Sequence, residues 1–120
     1  MKCRTLISVT LLSCTMLVLA RPAHAWNFYW SKVNVKSSSW QDCMSFANDA
    51  AQHEHLQQIL HDRLEVKGFR NGNLATITCV ATGGSSPAIA VVMVVGDAEG
   101  PVRDLRDALV SYVTRVQRID

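Results

Sequence analysis

Residues 74–96, LATITCVATGGSSPAIAVVMVVG, predict two neighbouring strands joined by a loop. Residues 74–81 alternate between a face that carries threonines and a face that is wholly apolar, which is the pattern of a strand with one buried face. Residues 82–87, TGGSSP, are typical of a hairpin loop. Residues 88–96 are continuously apolar, which predicts a second strand that is buried on both faces and too short to cross a membrane.

A third strand is predicted immediately before this pair. Residues 66–70, VKGFR, have strand character and are followed by Asn71-Gly72. Asn-Gly suits a tight hairpin turn because both residue types tolerate a positive φ. The three strands therefore follow one another along the chain as hairpins.

The N-terminal stretch, residues 26–36 (WNFYWSKVNVK), predicts a first strand. Its apolar residues follow a period of two and then change phase, which predicts a bulge near Ser31. We interpret the aromatic side chains as core; the alternative is an exposed stacking platform for a ligand or a partner. The aromatic residues are Trp26, Phe28 and Trp30, and the residues in the shifted phase are Val33 and Val35.

Two amphipathic helices complete the pattern. The first begins after Ser39, an N-cap residue with Asp42 three positions on, and the second begins near Gly100-Pro101. Each helix has an apolar stripe that we expect to pack on the sheet. The stripes are Trp40, Cys43, Met44, Ala47, Ala50 and Ala51 in the first helix, and Val102, Leu105, Leu109, Tyr112, Val113 and Val116 in the second.

The first 25 residues have the composition of a secretory signal peptide. A basic start precedes an apolar run of about fifteen residues, and the segment ends in the small-x-small sequence AHA, residues 23–25. We expect cleavage before Trp26 and no transmembrane span afterwards. The alternative is a lipoprotein processing site, at which Cys14 would be acylated.

Cleavage changes the charge of the protein. The whole chain has twelve Lys plus Arg and ten Asp plus Glu, but three of the basic residues lie in the leader, which leaves nine and a net charge near −1. The processed chain, residues 26–120, also has no cluster of basic residues. Because such a cluster is the electrostatic footprint of nucleic-acid binding, we expect no nucleic-acid partner.

The cysteines predict one disulfide. Cys3 and Cys14 would leave with the leader, so that Cys43 on the first helix and Cys79 on a strand remain in an oxidising compartment and are expected to pair. Redox-active pairs usually have C-x-x-C spacing, and these two are far apart, so we interpret the bond as structural. Residues 26–120 are therefore predicted as a single disulfide-stapled α+β domain. We expect an antiparallel-type sheet of about four strands in the order β-α-β-β-β-α, with the helices packed on the sheet.

The segment 52–65 does not continue the stripe of the first helix. Its apolar residues lie roughly opposite that stripe on a helical wheel. Either the helix breaks between residues 52 and 56 and a second short helix follows, or one long helix offers an apolar face to a partner. The residues of this candidate partner surface are Leu56, Ile59, Leu60 and Leu64.

Residues 53–61, HEHLQQILH, raise the question of a metal site. In one continuous helix His53 and His55 would lie about 200° apart, and His53 and His61 would be separated by about 12 Å of rise. We therefore expect no metal ligands among His53, His55 and His61, since a zinc site usually needs four converging ligands. If residues 53–55 are extended instead, His53 and His55 could chelate zinc or copper.

Four segments together resemble a family of small exported domains of Gram-negative bacteria, in which a helix cysteine is paired with a strand cysteine. The segments are Asp42-Cys43 at a helix start, TITCVA on a strand, VVMVVGDA on the next strand and LRDALVSYV on the last helix. The resemblance covers about residues 30–115. It implies a periplasmic α+β domain of a family whose function is unknown, and it provides no catalytic residues.

Three functions are compatible with these patterns. We expect a periplasmic, or alternatively secreted, non-catalytic binding or accessory module without a cofactor, which binds an unknown protein, a small ligand or a second copy of itself as a homodimer. The second hypothesis is a zinc- or copper-binding protein that uses His53 and His55. The third is a hydrolase with His61 as the base, Asp62 or Glu65 to orient it, and a serine from 37–39 or 85–86 as the nucleophile.

Overall fold

A computed structural model describes residues 26–116. The expected leader at residues 1–25, with Cys14 as an acylation site, lies outside the described residues. The strands are β1 (Asn27–Asn34), β2 (Gln57–His61), β3 (Glu65–Arg70), β4 (Asn73–Val80) and β5 (Ile89–Gly96). The helices are α1 (Trp40–His53), between β1 and β2, and α2 (Glu99–Arg115), after β5.

The strands form one antiparallel sheet in the order β1-β5-β4-β3-β2. The predicted α+β class and antiparallel pairing are therefore confirmed. The prediction of about four strands is wrong, because residues 57–61, expected to be helical, form the fifth strand at one edge of the sheet. The turn between β3 and β4 is as predicted, with φ values of 52° at Asn71 and 79° at Gly72.

Helix α1 begins and ends with well-defined caps. Ser39 Oγ accepts a hydrogen bond from the Asp42 amide at 3.2 Å, which confirms the predicted N-cap. At the other end, His55 adopts a φ of 56° and the Leu56 amide donates to Ala51 O at 2.9 Å. Together with the bond from the His55 amide to Gln52 O, this is a Schellman motif, which stops the helix. The expected break between residues 52 and 56 is therefore confirmed. The chain then continues as a strand, so a second helix or one long helix over residues 56–64 is wrong.

Both helices pack on the same face of the sheet. Cys43 of α1 is bonded to Cys79 of β4, as predicted, with a Cα–Cα distance of 6.0 Å. Val102 of α2 lies against Gly96 of β5, which points to the same side as Cys79. The core lies between this face and the helices, where apolar burial is the main stabilising contribution. Its strand members include Val66, Ala75, Ile77, Ala90, Val92 and Val94, and its helix members include Phe46, Ala47, Ala50, Leu105, Leu109 and Val113.

Strand β1 pairs with β5 over its full length without a shift of register. The expected bulge near Ser31 is therefore wrong. Both sides of β1 carry apolar residues, with Val33 packed against the core and Trp30 on the opposite side. The apolar residues change phase along β1 because they lie on one face of the sheet in its first half and on the opposite face in its second half. No extra residue is inserted into the strand.

Candidate functional site

The face of the sheet opposite the helices, called the open face below, has no covering element within residues 26–116. The strand registers place its side chains in four rows across the sheet. The first row is Phe28, Val95, Leu74, Phe69 and Gln57, and the second is Trp30, Met93, Thr76, Lys67 and Leu60. The third row is Lys32, Val91, Thr78 and Glu65, and the fourth is Asn34, Ile89 and Val80.

Large apolar side chains are concentrated on this face. Every strand residue among the exposed large hydrophobic residues of the described chain lies on it: Phe28, Trp30, Leu60, Phe69 and Val80. Trp30 remains 56% exposed and Leu60 55% exposed. Within the described chain, no residue of the four rows belongs to the core or packs against it. The open face is thus a second apolar layer that lacks a counterpart.

Two expectations about burial are corrected here. Trp26, Phe28 and Trp30 are exposed and are not part of the core. Strand β5 is buried on only one face, since Ala90, Val92 and Val94 are fully buried while Ile89, Val91, Met93 and Val95 are only partly covered. The physical reason is the same in both cases, because the two helices lie side by side on one face of the sheet.

One end of the open face forms a shallow groove. Trp26, Phe69, Leu74 and Val95 line it together with Gly72 of the hairpin turn, and its volume is about 400 Å³. The lining is almost entirely apolar. A groove of this kind can accept an apolar side chain of a partner, but it has no polar groups that would orient a reacting substrate.

The charged residues of the open face lie beside the apolar rows. Lys67 Nζ is 3.8 Å from Glu65 Oε1 on the same strand, and both side chains are partly exposed. Lys32 lies in the same row as Glu65, on the far side of the sheet. An exposed pair of this type contributes little to folding, so these charges are available to a partner.

Each edge of the sheet has a feature that disfavours pairing with another strand. At the β1 edge, Arg106 Nη1 donates to the Trp30 carbonyl at 3.2 Å and to Ser31 Oγ at 3.1 Å. At the other edge, β2 has only five residues and an irregular register between Gln57 and Leu60, with a φ of 53° at Gln58. Short, bulged or side-chain-capped edges resist the addition of a strand, whereas the open face has no such protection.

The partner surface expected at residues 56–64 is divided by the fold. Leu56 is buried in the core, and Ile59 packs against it. Leu60 lies on the open face, and Leu64 is exposed in the turn between β2 and β3. The four residues therefore do not form one surface, because they lie in a turn and a strand and not on one helix.

The three candidate histidines are held in different places. His53 stacks on Tyr112 with ring centroids 4.8 Å apart, and His61 Nε2 is hydrogen-bonded to Asn48 Oδ1. His53 and His55 line the same cleft of about 470 Å³, together with Glu54 and Arg70. The Arg70 guanidinium donates a hydrogen bond to the Glu54 carbonyl at 3.4 Å there. Within residues 26–116, no three His, Cys, Asp or Glu side chains are placed to hold a metal ion.

The hydrolase candidates also have other partners. Asp62 Oδ1 accepts a hydrogen bond from the Arg63 amide at 2.6 Å, and Glu65 pairs with Lys67. Ser39 caps α1, while Ser37 Oγ donates to Asp42 Oδ2 at 2.7 Å. His61 itself is hydrogen-bonded to Asn48, so these carboxylates and the serines at 37 and 39 have recorded partners other than His61.

Comparisons with protein-family models, with curated proteins and with solved structures found no match to this chain. Between residues 26 and 116, no helix has the length and apolarity needed to cross a membrane.

Most of the open face escaped the sequence analysis. Leu74, Val95 and Val80 were assigned to strands but not to a surface, and Phe69 was not singled out. A partial signal was present, because two adjacent helices span about 20 Å, which is the width of about four strands spaced about 4.8 Å apart. If both helices pack on one face, an apolar pattern on both faces of the strands predicts that the second face is left uncovered.

Proposed function

We propose that this protein is an exported, non-catalytic binding module and that the open face is its binding surface. One observation carries the proposal: all five large apolar strand residues that are exposed in the described chain lie on the same side of the sheet. Single exposed apolar residues are common on protein surfaces, but a contiguous apolar patch is typical of an interaction site.

The charges around the patch support a protein partner in preference to a simple lipid surface. Positive and negative charges both lie among the apolar side chains of this face, at Lys32, Glu65 and Lys67. A mixed pattern of this type favours one orientation of a polypeptide partner through charge complementarity. The disulfide between Cys43 and Cys79 is compatible with the oxidising compartment that export would provide. We propose the periplasm as the location, with secretion as the alternative.

Site-specific photo-crosslinking tests this function. The full-length sequence is expressed so that the cell processes and exports it, with p-benzoylphenylalanine in place of Trp30 on the open face. The matched control places the same group at Asp104, which is exposed on α2. We expect a crosslinked polypeptide at position 30 and none at position 104. Crosslinking at neither position, or equally at both, contradicts the proposal.

A further inference from the structure

We propose that the partner of the open face is a second copy of this chain, packed face to face so that two sheets enclose one apolar layer. The proposed dimer names the partner that covers the open face, so it rests on the proposed function. The arrangement differs from the continuous sheet that two copies would form through their edge strands. The protected edges at β1 and β2 disfavour that second arrangement.

The rows of the open face are self-complementary about a two-fold axis. Sheets that pack face to face lie about 10 Å apart with their strands nearly aligned. An axis that runs between the two sheets, along the strands and midway between β4 and β5, exchanges β5 with β4 and β1 with β3. Residues of the same row then meet across the interface.

This axis brings together side chains that attract one another. Lys32 of one copy lies over Glu65 of the second copy, and Trp30 lies over Lys67. The first pair joins opposite charges, and the second is a cation–π pair. Phe28 lies over Phe69 and brings the two apolar grooves together. Each contact occurs twice because of the symmetry.

The alternative two-fold axis, across the strands, is less favourable. An axis across the strands reverses the order of the rows, so it would place Phe28 over Asn34 of the second copy. Phe69 would then lie beyond the end of the second copy's β3 and would have no residue opposite it. The axis along the strands covers the most apolar row with its own counterpart, so it removes more apolar surface from water.

The size of the face is sufficient for a dimer. Four strands at about 4.8 Å spacing and eight residues at about 3.3 Å each give a flat area of roughly 500 Å² per copy. The two copies together then bury a flat area of roughly 1,000 Å², which is about the lower limit for a specific interface. Side chains that project from the sheets add to this area.

Sedimentation velocity from micromolar to submillimolar concentration tests the inference on the 120-residue chain as the cell processes it. We expect a monomer–dimer equilibrium for the wild type. Phe28→Ser/Trp30→Ser should shift it fully to the monomer, while Leu64→Ser should leave it unchanged. Leu64 is a matched control because it is 51% exposed but lies in a turn outside the four rows. Circular dichroism checks that each variant is folded.

Charge reversal tests the symmetry axis and does not depend on the apolar variants remaining folded. Lys32→Glu and Glu65→Lys should each weaken the dimer at least about ten-fold, and the double variant should return to within about three-fold of the wild type. If the double variant does not restore the dimer, the proposed axis is contradicted and the arrangement is overturned.

Two further outcomes separate this inference from the proposed function. A wild type that is monomeric at every concentration, or a dimer that Phe28→Ser/Trp30→Ser does not weaken, overturns the face-to-face dimer. If position 30 still crosslinks to a different polypeptide, the open face remains a binding surface. If it crosslinks to nothing, both proposals fail.

Discussion

His55 holds the backbone in a left-handed conformation, with a φ of 56°, at the point where α1 ends. Glycine usually occupies this position of a Schellman motif because a side chain there is strained. The bonds from the His55 amide to Gln52 O and from the Leu56 amide to Ala51 O still end the helix. Leu56 is thereby directed into the core.

Replacement of His55 tests this conformation. His55→Gly should stabilise the protein by about 0.5–1 kcal/mol, because the relief of left-handed strain exceeds the entropy that glycine adds to the unfolded chain. Gln52→Gly, three residues earlier and exposed in the same helix, should destabilise it by about 0.5–1 kcal/mol. Urea denaturation of both variants measures the two effects. A loss of stability in His55→Gly that equals the loss in Gln52→Gly would be inconsistent with the strained cap.

At the scale of the elements, Tyr29 joins the edge strand to the last helix. Its hydroxyl donates to Glu99 Oε1 at 2.6 Å, and Arg106 lies over its ring at 5.4 Å. The hydrogen bond to the Glu99 carboxylate, more than any other group, raises the pKa of Tyr29 above its ordinary value. The bond therefore ties the start of α2 to β1 while the phenol is protonated.

The alkaline titration of Tyr29 follows from this contact. Since the folded-state pKa is raised, the contribution to stability is fully present below the unfolded value of about 10 and is lost as the pH rises through the folded value. Glu99→Ala should lower the pKa of Tyr29 towards its ordinary value, whereas Asp49→Ala, which removes an exposed carboxylate of α1, should not. Phenolate absorbance, with Tyr29→Phe as the blank, measures the pKa. An unchanged midpoint in Glu99→Ala would exclude Glu99 as the cause.

The disulfide joins α1 to β4 across the core. Cys43 and Cys79 are 36 residues apart in the sequence, and a bond that closes a loop of this length stabilises a domain by about 3–4 kcal/mol. Cys43→Ala/Cys79→Ala should therefore lose about that amount in chemical denaturation, and the reduced wild type should behave like the double variant. A difference below about 1 kcal/mol would show that the bond is not a main stabilising contribution.

Strand β2 shows why one element could not be predicted. Its irregular pairing puts Gln57 opposite Phe69 and Leu60 opposite Lys67, so that residues three apart lie on one face. A spacing of three is a helical signal, whereas a regular strand has a spacing of two. The strands and helices with regular patterns, such as β4 with its buried Ala75, Ile77 and Cys79, were predicted correctly. The local bulge in β2 is not visible in the sequence, because the partner strand defines it.

At the scale of the whole molecule, two helices cover one face of a five-stranded sheet, and no other element within residues 26–116 covers the second face. The core face and its disulfide could be predicted from the alternating pattern and from the two remaining cysteines. The open face could not be predicted residue by residue, because an apolar strand such as β5 looks the same whether one or both of its faces are covered. The side on which α1 and α2 both pack decides which residues are exposed.

Covalent footprinting measures whether a partner covers the open face. The protein is labelled with a carbene or hydroxyl radical reagent, alone at low concentration, alone at high concentration, and in an extract of the cells that express it. We predict that Trp30, Met93 and Phe69 lose labelling together at high concentration or in the extract, while Leu64 keeps its labelling. Equal labelling of Trp30, Met93 and Phe69 under all three conditions would contradict the account, because the apolar face would then remain in water with no partner.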